Sequence, residues 1–444
     1  MKTIKFLKLA LLFVAITGLL SFSPKSENMK PKPVAKYVFL FIGDGMGINH
    51  ILITNEYLKM HGKAALSFTK LPYFALTTTN CIDSMRITDS AAAGTAIATG
   101  KKTKSGVLGM LPTTGEKFIS IAEIAKQNNM KVGILSSVGM NHATPAAFYA
   151  KQKSRSMYKE IAEDMALSQF DLFAGGGLYA ADQTELQYLL NNLKSNNYNF
   201  IFNETQFNKK EHSNKKIYYS VNADKIPGYA IPYRIDQKEN DVVLADYVRF
   251  GIDYLENPNG FFMMAEGGKI DWSSHDNDGA TTVQEVIDFD LAVQEALKFY
   301  EKHPDETLIV ITADHETGGF SYGSREMAYK TDFLKIDNQK MSEEVFAEEL
   351  TENKTETANK LVAKNFSLIL KDDYFKTTSS KEISNQVTDS LNRSAGIWWT
   401  TGAHTGTAVL TYAIGVGSAQ FNGFIDNTDI IKFIKKSAAI EIKQ

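Results

Sequence analysis

Short apolar runs recur along the chain with the length and the β-branched or aromatic content of buried parallel strands. The clearest runs predict strands over residues 37–42, 131–138, 260–265, 307–312 and 409–416. Between them, apolar residues recur at three- and four-residue spacing with charged residues in between, as over 119–127 and 283–300, and this pattern predicts amphipathic helices. The alternation predicts an α/β fold with a doubly wound, mostly parallel central sheet flanked by helices.

Two regions interrupt this alternation. Residues 182–241 are rich in Asn, Lys and Tyr, and residues 326–393 are rich in charged side chains, with helix-like pieces such as 343–361. We interpret both as insertions in a single domain that spans 24–444. For the second insertion, the composition is consistent with a cap over a site, an oligomer contact or a solvated helical face.

The first residues have the pattern of an export signal, which we predict over 1–23. Lys2, Lys5 and Lys8 precede an apolar run over 9–20, which gives way to small and polar residues. A bilayer span needs about 20 apolar residues, so we expect no transmembrane span in the mature chain and a periplasmic or secreted location. A retained N-terminal anchor is the alternative interpretation.

Composition narrows the class of protein further. A chain of 444 residues with 43% hydrophobic and 22% charged content is typical of a globular protein with a large core. The formal net charge of -3 argues against nucleic acid as a partner held by general basicity. Cys81 is the only cysteine, so an intrachain disulfide is excluded, and we expect it to be a small buried apolar residue.

Carboxylate, imidazole and hydroxyl side chains lie just past the predicted strands, where ligands bind in an open parallel sheet. They are Asp44, His142, Thr144, Glu266, Asp271, Asp314 and His315, and His404 lies just before the last run. A single Gly-Asp-Gly segment is more often a tight turn, and an Asp-His pair can be a simple hydrogen-bonded couple. Together these groups predict a metal cluster, because burying them unpaired would cost several kcal/mol.

The segment 88–96 supplies a candidate nucleophile. Its small residues predict a tightly packed helix with Ser90 at or near the first turn. The segment alone is equally consistent with Asp89 or Ser90 acting only as an N-cap. A helix N-terminus offers free amides and a positive dipole end to phosphate, so a cap and a catalytic site can coincide.

These motifs together resemble those of the alkaline phosphatase family, in order and in internal spacing, over most of the mature chain. They are Phe39-Leu-Phe-Ile-Gly-Asp-Gly-Met-Gly, Asp89-Ser-Ala-Ala, Asn141-His-Ala-Thr-Pro, Glu266-Gly-Gly-Lys-Ile-Asp, Thr312-Ala-Asp-His and His404-Thr-Gly. The resemblance implies the family's α/β core, a homodimer, two zinc ions and one magnesium ion. It also implies hydrolysis of phosphate monoesters through a covalent phosphoserine on Ser90.

The resemblance also implies ligand sets, position by position. The first zinc would be held by Asp271, His275 and His404, and the second by Asp44, Asp314, His315 and deprotonated Ser90. Asp44 would also bridge to magnesium, together with Thr144 and Glu266. Imidazole and carboxylate suit zinc, whereas an all-oxygen set suits magnesium.

Further positions acquire a meaning only through the resemblance. Arg155 matches the arginine that clamps phosphate, whereas the sequence alone would make it an ordinary surface arginine. His142 lies near the magnesium ligands where some members have Asp, and Trp272 stands where some have Lys or His. Trp272 is equally consistent with simple packing of the pocket wall. The remaining histidines match no ligand position and are interpreted as surface or structural, namely His50, His61, His212 and His303.

Two other functions compete with this interpretation. A phosphodiesterase of the same superfamily would share the metal scaffold and the nucleophile, but it would tend to lack Arg155 and the third-metal set Thr144 and Glu266. An exported protein that binds or stores metal or phosphate would not need Ser90. Hydrolysis of small phosphate monoesters therefore remains the favoured function.

Overall fold

The computed structural model describes residues 33–83, 87–202, 215–222, 229–323, 327–352, 358–370 and 379–443. The predicted signal segment 1–23 lies outside these ranges. Val34–Gln444 form one compact unit. Across the ranges that are described, none of the helices combines the length and the apolar character required to cross a bilayer.

The strands that form the structure are β1 (Tyr37–Gly43), β2 (Tyr73–Thr78), β3 (Lys131–Gly139), β4 (Leu172–Gly176), β5 (Tyr198–Ile201), β6 (Lys216–Tyr219), β7 (Phe261–Gly267), β8 (Thr307–Thr312), β9 (Glu316–Thr317), β10 (Ser321–Tyr322), β11 (Ile397–Trp398), β12 (His404–Thr405), β13 (Val409–Gly415) and β14 (Gly423–Asp426). A 10-stranded sheet has the order β14-β2-β13-β8-β1-β7-β3-β4-β6-β5. Two short ladders, β9 with β12 and β10 with β11, lie outside it. The sheet confirms the predicted fold class.

One strand runs against the prediction of parallel strands. β13 pairs antiparallel with both β8 and β2, whereas the other neighbours in the sheet pair in parallel. The cause lies in the preceding chain. β12 pairs with β9, which follows the carboxyl end of β8, so the chain enters β13 from that edge and must run back. The apolar content of 409–416 could not reveal this direction.

The helices are α1 (Ile48–Met60), α2 (Ser90–Thr99), α3 (Ile121–Gln127), α4 (Ala143–Ala146), α5 (Tyr158–Leu167), α6 (Gln183–Ser195), α7 (Leu244–Leu255), α8 (Lys269–His275), α9 (Gly279–Lys302), α10 (Glu343–Glu352), α11 (Ala358–Phe366), α12 (Ser380–Ala395) and α13 (Asp429–Ala438). Short 3-10 turns occupy Ser67–Lys70, Arg234–Asp236, Phe333–Asn338 and Ser418–Gln420. The helices predicted over 119–127 and 283–300 correspond to α3 and α9. Both carry apolar side chains on the face that packs on the sheet.

β1 shows why the predicted strands read as continuous apolar runs. Successive side chains of a strand point to opposite faces, and in β1 both faces are covered. Val38 and Leu40 belong to the apolar core on one side of the sheet, and Phe39 and Phe41 belong to the core on the other. Burying one such side chain contributes roughly 1.5–3 kcal/mol. The central strands are therefore held rigidly, which fixes the residues at their carboxyl ends.

The two irregular segments differ in what they add. Within 182–241, β5 and β6 extend one edge of the central sheet. Within 326–393, α10, α11 and α12 pack around a separate apolar cluster that includes Phe346, Phe366 and Val387. The helix-like piece 343–361 falls on α10 and the start of α11, and residues 353–357 between them lie outside the described ranges.

Candidate active site

Three neighbouring central strands bring acidic side chains to the edge of the sheet that is formed by the carboxyl ends of its strands. β8, β1 and β7 lie side by side and parallel, so their carboxyl ends meet. Asp44 directly follows β1, Glu266 is the second-to-last residue of β7, and Asp314 lies just past the end of β8. The backbone amide of Gly45 donates to Oδ1 of Asp314 at 3.1 Å, which ties two of these strand ends together. The sheet topology alone therefore concentrates negative charge at this edge.

α2 presents Ser90 to this edge. Asp89 is the N-cap of α2, and its Oδ1 accepts from the backbone amide of Ala92 at 3.1 Å. Because Asp89 performs the capping, the hydroxyl of Ser90 is left for other contacts. Ser90 is buried, and its Oγ lies 3.3 Å from Nε2 of His315. The helix thus places a hydroxyl, and the positive end of its dipole, beside the acidic cluster.

His315 forms one ligand-like group with two carboxylates. Its Nε2 lies 3.4 Å from Oδ1 of Asp44 and 3.3 Å from Oδ2 of Asp314. All three side chains are fully buried. Their ligand atoms lie within 4.8 Å of one another, which is the spacing of groups that share one metal ion.

Asp271 forms a second group with histidines. Its Oδ2 lies 3.4 Å from Nε2 of His275, and its Oδ1 lies 3.5 Å from Nε2 of His404. The Nε2 atoms of His275 and His404 are 3.1 Å apart. His315 stacks on His404 at 3.6 Å between ring centroids, so Asp271, His315 and His404 also form a group with ligand atoms within 4.8 Å. The two groups therefore lie side by side and share His315.

A third group lies on the other side of Asp44. Asp44, His142 and Glu266 have ligand atoms within 4.8 Å of one another. Thr144 donates from Oγ1 to Oδ2 of Asp44 at 3.4 Å, so a hydroxyl joins the group. Ser136 donates a short hydrogen bond to Glu266 and holds it in place. With Asp44, Thr144 and Glu266, this group is richer in oxygen atoms than the group of Asp271, His275 and His404.

Several buried oxygens in these groups accept no hydrogen bond from the described residues. Oδ1 of Asp44, Oδ2 of Asp314 and Oε1 of Glu266 have no hydrogen-bond partner among the described residues. Burial and the charge of Asp271 raise the pKa of Asp314 to about 8, and burial raises the pKa of Glu266 to about 7. Burial, with Asp314 and Asp271 nearby, also raises the pKa of Asp44 well above its usual value. Divalent cations would relieve this cost, so these residues fit metal ions.

Arg155 lies beside the helix that carries Ser90. Its Nη1 donates to Oδ2 of Asp89 at 3.1 Å, and its Nη2 lies 3.1 Å from Nε2 of His142. Burial, together with the charge of Arg155, lowers the pKa of His142 to about 3, so the imidazole is neutral and its Nε2 accepts. The guanidinium is thus oriented from two sides.

The structure brings together every residue that the sequence nominated for the site. Trp272 lies at its margin, where its ring meets that of His142 edge-on at 5.9 Å between centroids. His50 is buried and lies behind the site: its Nδ1 accepts from the amide of Gly47, and its Nε2 lies 3.0 Å from Oγ of Ser274. This agrees with a structural role. His61 and His303 lie toward the surface, and His212 lies outside the described residues.

One residue of the site was missed at the level of sequence. Oγ1 of Thr317 donates to Oδ1 of Asp271. Oγ1 of Thr317 also lies 3.2 Å from Nδ1 of His315. Alternation along an extended segment places His315 and Thr317 on one face, so spacing of two residues was the available signal. Thr317 therefore links the group around Asp271 to the group around His315.

Comparison with known proteins gives consistent results. A family model described as alkaline phosphatase matches residues 35–440. Alkaline phosphatase 3 of Bacillus subtilis is 30% identical over 98% of this chain and 98% of its own length, and alkaline phosphatase 4 of that organism is 31% identical over 93% and 90%. The crystal structure of a cold-active alkaline phosphatase from Shewanella sp. matches with a TM-score of 0.80 and 26% identity, covering 90% of this chain and 99% of that one.

A second group of solved structures comes from the Antarctic bacterium TAB5. The alkaline phosphatase of that organism matches with a TM-score of 0.69 and 26% identity, covering 93% of this chain and 100% of that one. A mutant of the same protein was solved with magnesium bound in its M3 site, and it matches with a TM-score of 0.68.

Proposed function

The chain belongs to the metal-dependent alkaline phosphatase family and hydrolyses phosphate monoesters, and from this premise we propose that Ser90 carries the phosphoryl group as a covalent intermediate. The observation that carries the proposal is the position of Ser90. Its buried hydroxyl lies at the N-terminus of α2 and 3.3 Å from His315, at the edge of the metal-ligand groups.

The proposed reaction has two displacements. Oγ of Ser90 loses its proton and forms a bond to phosphorus, and the bond from phosphorus to the alcohol oxygen breaks, so that the alcohol leaves with a proton. Water then loses a proton and forms a new bond to phosphorus, the bond to Oγ breaks, Oγ regains a proton, and inorganic phosphate leaves. Arg155 holds two phosphoryl oxygens throughout, and the amides of α2 offset their charge.

We propose metal ligands by matching position. Asp271, His275 and His404 would hold one zinc ion, and Asp44, Asp314, His315 and Ser90 a second. When bound, these cations lower the pKa of oxygen nucleophiles and offset the charge that develops on the leaving oxygen. The unpartnered buried oxygens of Asp44 and Asp314 support this assignment.

Asp44, Thr144 and Glu266 would hold magnesium at the third position. Their oxygen atoms suit a hard cation, and a related solved protein contains magnesium in its M3 site. His142 would lie next to this ion and orient Arg155, because its Nε2 accepts from the guanidinium. Elemental analysis of the purified protein tests the assignment. The proposal requires a ratio near two zinc to one magnesium.

The decisive experiment compares substrates and variants of the metal-loaded protein. We expect p-nitrophenyl phosphate to be cleaved far faster than the bis ester, and Ser90→Ala to lower that rate by more than about a thousandfold. After reaction with a substrate that is labelled in its phosphate, rapid quenching at acidic pH should leave labelled phosphate on Ser90 in the wild type and none in Ser90→Ala. Faster cleavage of the diester would instead support the phosphodiesterase alternative, and metal binding without cleavage would support a storage role.

We also propose features that concern the whole protein. The pattern over 1–23 supports export to the periplasm or the medium, and family membership supports a homodimer. The formal net charge of -3 argues against a nucleic-acid partner. We propose a single domain over 24–444, with 182–241 and 326–393 as its insertions. Light scattering of the purified protein measures the mass of the assembly, and a monomer would contradict the dimer.

A further inference from the structure

A cluster of aromatic side chains borders the site on the side of Trp272. Tyr158, Tyr179 and Tyr229 form a stack, with ring centroids 4.6 Å and 4.2 Å apart. Tyr179 also stacks loosely on His142, and Tyr229 meets Trp272 edge-on at 6.1 Å. These rings come from separate parts of the chain, and we call Tyr179, Tyr229 and Trp272 the aromatic wall.

The aromatic wall begins close to the phosphate-binding group. Arg155 contacts His142 at 3.1 Å, and His142 meets Trp272 at 5.9 Å between ring centroids. Trp272 is therefore two contacts away from the guanidinium that would hold the phosphoryl oxygens. An alcohol bonded to phosphorus would extend over this distance within a few bonds.

A groove runs along the aromatic wall away from the metal ligands. Its first part is lined by His275, Trp272, Tyr229 and Tyr179, and has a volume of about 440 Å³. It continues past Trp272 and Tyr229 into a neighbouring cavity, also of about 440 Å³. Ser90 and Asp314 are buried, whereas His275 is exposed and Trp272 and Tyr229 are half-buried. The groove is thus an open path beside a closed site.

The lining of the neighbouring cavity carries negative charge. Asp236, Asp241, Glu344 and Glu348 line this cavity, and Lys269 is the one cation among the described residues of its lining. Lys269 is already engaged, because its Nζ donates to the carbonyl of Ile231 and lies 3.4 Å from the ring centroid of Tyr233. An anionic group would be repelled here, whereas hydroxyl and amine donors would find acceptors.

We infer that the leaving alcohol occupies this groove, and that the enzyme favours monoesters whose alcohol carries a planar ring and no negative charge. Nucleoside 5′-monophosphates combine these features, since the base can stack on the aromatic wall and the sugar hydroxyls can donate to the carboxylates. The inference rests on the proposed function, because it concerns the alcohol that leaves from phosphorus at Ser90. It names a substrate class for that same site.

The test uses the metal-loaded full-length protein and two substrates that differ only by the base, adenosine 5′-monophosphate and ribose 5-phosphate. We expect kcat/KM to be about tenfold higher for the nucleotide, since stacking on an aromatic side chain is worth about that factor. Trp272→Ala should bring the ratio close to one, and Trp272→Phe should retain most of it. Tyr329→Ala, at a fully exposed tyrosine outside the groove, is the matched control and should leave the ratio unchanged.

The outcomes separate this inference from the proposed function. Hydrolysis of both substrates at equal kcat/KM would leave the phosphatase function intact and overturn the inference. An equal loss on both substrates in Trp272→Ala would show that Trp272 acts on the phosphoryl site, and would also overturn it. Failure to hydrolyse either substrate would overturn the proposed function itself, and the inference with it.

A second measurement tests the charge of the groove. Glycerol 3-phosphate and 3-phosphoglycerate differ by a carboxylate in the leaving alcohol, and we expect kcat/KM to be about fivefold lower for the second. The double variant Glu344→Gln and Glu348→Gln should narrow that difference by raising kcat/KM for 3-phosphoglycerate, because the repelling charge is gone. Equal rates for the two substrates in the wild type would contradict the electrostatic part of the inference.

Discussion

Thr317 donates a hydrogen bond of 2.5 Å from its Oγ1 to Oδ1 of Asp271, the carboxylate that lies beside His275 and His404. The same hydroxyl oxygen lies 3.2 Å from Nδ1 of His315. Both partners are proposed metal ligands, so Thr317 fixes the relative orientation of side chains that come from α8 and from the end of β8. Such hydrogen bonds set ligand geometry without contacting the metal.

We predict that Thr317→Val lowers kcat/KM by about 10- to 100-fold and weakens metal retention by a similar factor. Valine keeps the shape of the side chain but cannot donate to Asp271. The measurements are steady-state kinetics and competition with a chelator. Thr351→Val, at an exposed threonine of α10, is the matched control and should change neither quantity. Normal metal retention in Thr317→Val would contradict the assigned role.

A second prediction concerns the orientation of Arg155. Oδ1 of Asp89 accepts from the amides of Ala92 and Gly106, while Oδ2 accepts from Arg155. Asn at this position can retain the cap but presents an amide that repels the guanidinium. We expect Asp89→Asn to raise the inhibition constant of inorganic phosphate about tenfold, which is the value of a charge-assisted hydrogen bond.

The control for this prediction makes the same substitution at another helix cap. Asp182 caps α6 and accepts from the amide of Glu185 at 2.8 Å. Asp182→Asn should leave both phosphate inhibition and thermal stability unchanged. If Asp89→Asn lowered stability as its main effect, with phosphate inhibition unaltered, Asp89 would be only a cap.

Much of the fold follows from the sequence because the central strands are buried on both faces. Such strands must be apolar throughout, and β1, β3, β7 and β8 begin and end close to the predicted bounds. The direction of β13 could not be predicted, since it depends on the pairing of β12 with β9, between residues distant in sequence.

The site shows the same division. The sequence predicts residues such as Asp44 and Asp314 as site residues because they follow buried strands. Parallel strands bring the side chains at their carboxyl ends close together. The role of Thr317 and the pairing of Asp89 with Arg155 depend on side-chain geometry that residue types do not specify. The aromatic wall combines Tyr179, Tyr229 and Trp272 from three separate segments, so no local pattern contains it.

A third prediction tests close packing beside Asp44. Gly47 has an ordinary backbone conformation, with φ of -74°, but an added Cβ would lie 2.2 Å from Cγ of Glu316. Glu316 cannot move freely, because its carboxylate accepts from the amides of Gly319 and Phe320. We therefore expect Gly47→Ala to lower the free energy of unfolding by about 1–3 kcal/mol.

Urea unfolding of the metal-loaded protein measures this change. Gly406→Ala is the control, since its added Cβ would meet only Cγ1 of Ile87, at the ordinary distance of 3.9 Å. A loss of stability in Gly47→Ala no larger than in this control would contradict the proposed steric cause.

The last prediction links pH, metal and stability. In the metal-free folded protein, Asp314 holds its proton up to a pKa of about 8 and Glu266 up to about 7, mainly through burial, whereas the unfolded chain releases these protons near 3.8 and 4.5. Because the folded state binds more protons between these values, its stability must fall as pH rises through this window. Bound cations replace the protons, so the stability of the metal-loaded protein should fall little as pH rises through this window.

Thermal unfolding at pH 5 and pH 9, with and without a chelator, checks this. We expect the Tm of the metal-free protein to fall across this range by more than that of the metal-loaded protein. Asp314→Asn removes one of the buried acids and should reduce the pH dependence of the metal-free protein, because the amide has no proton to release. A metal-free protein equally stable at both pH values would show that these carboxylates are hydrated or paired in the absence of metal, and would remove the electrostatic reason for placing cations there.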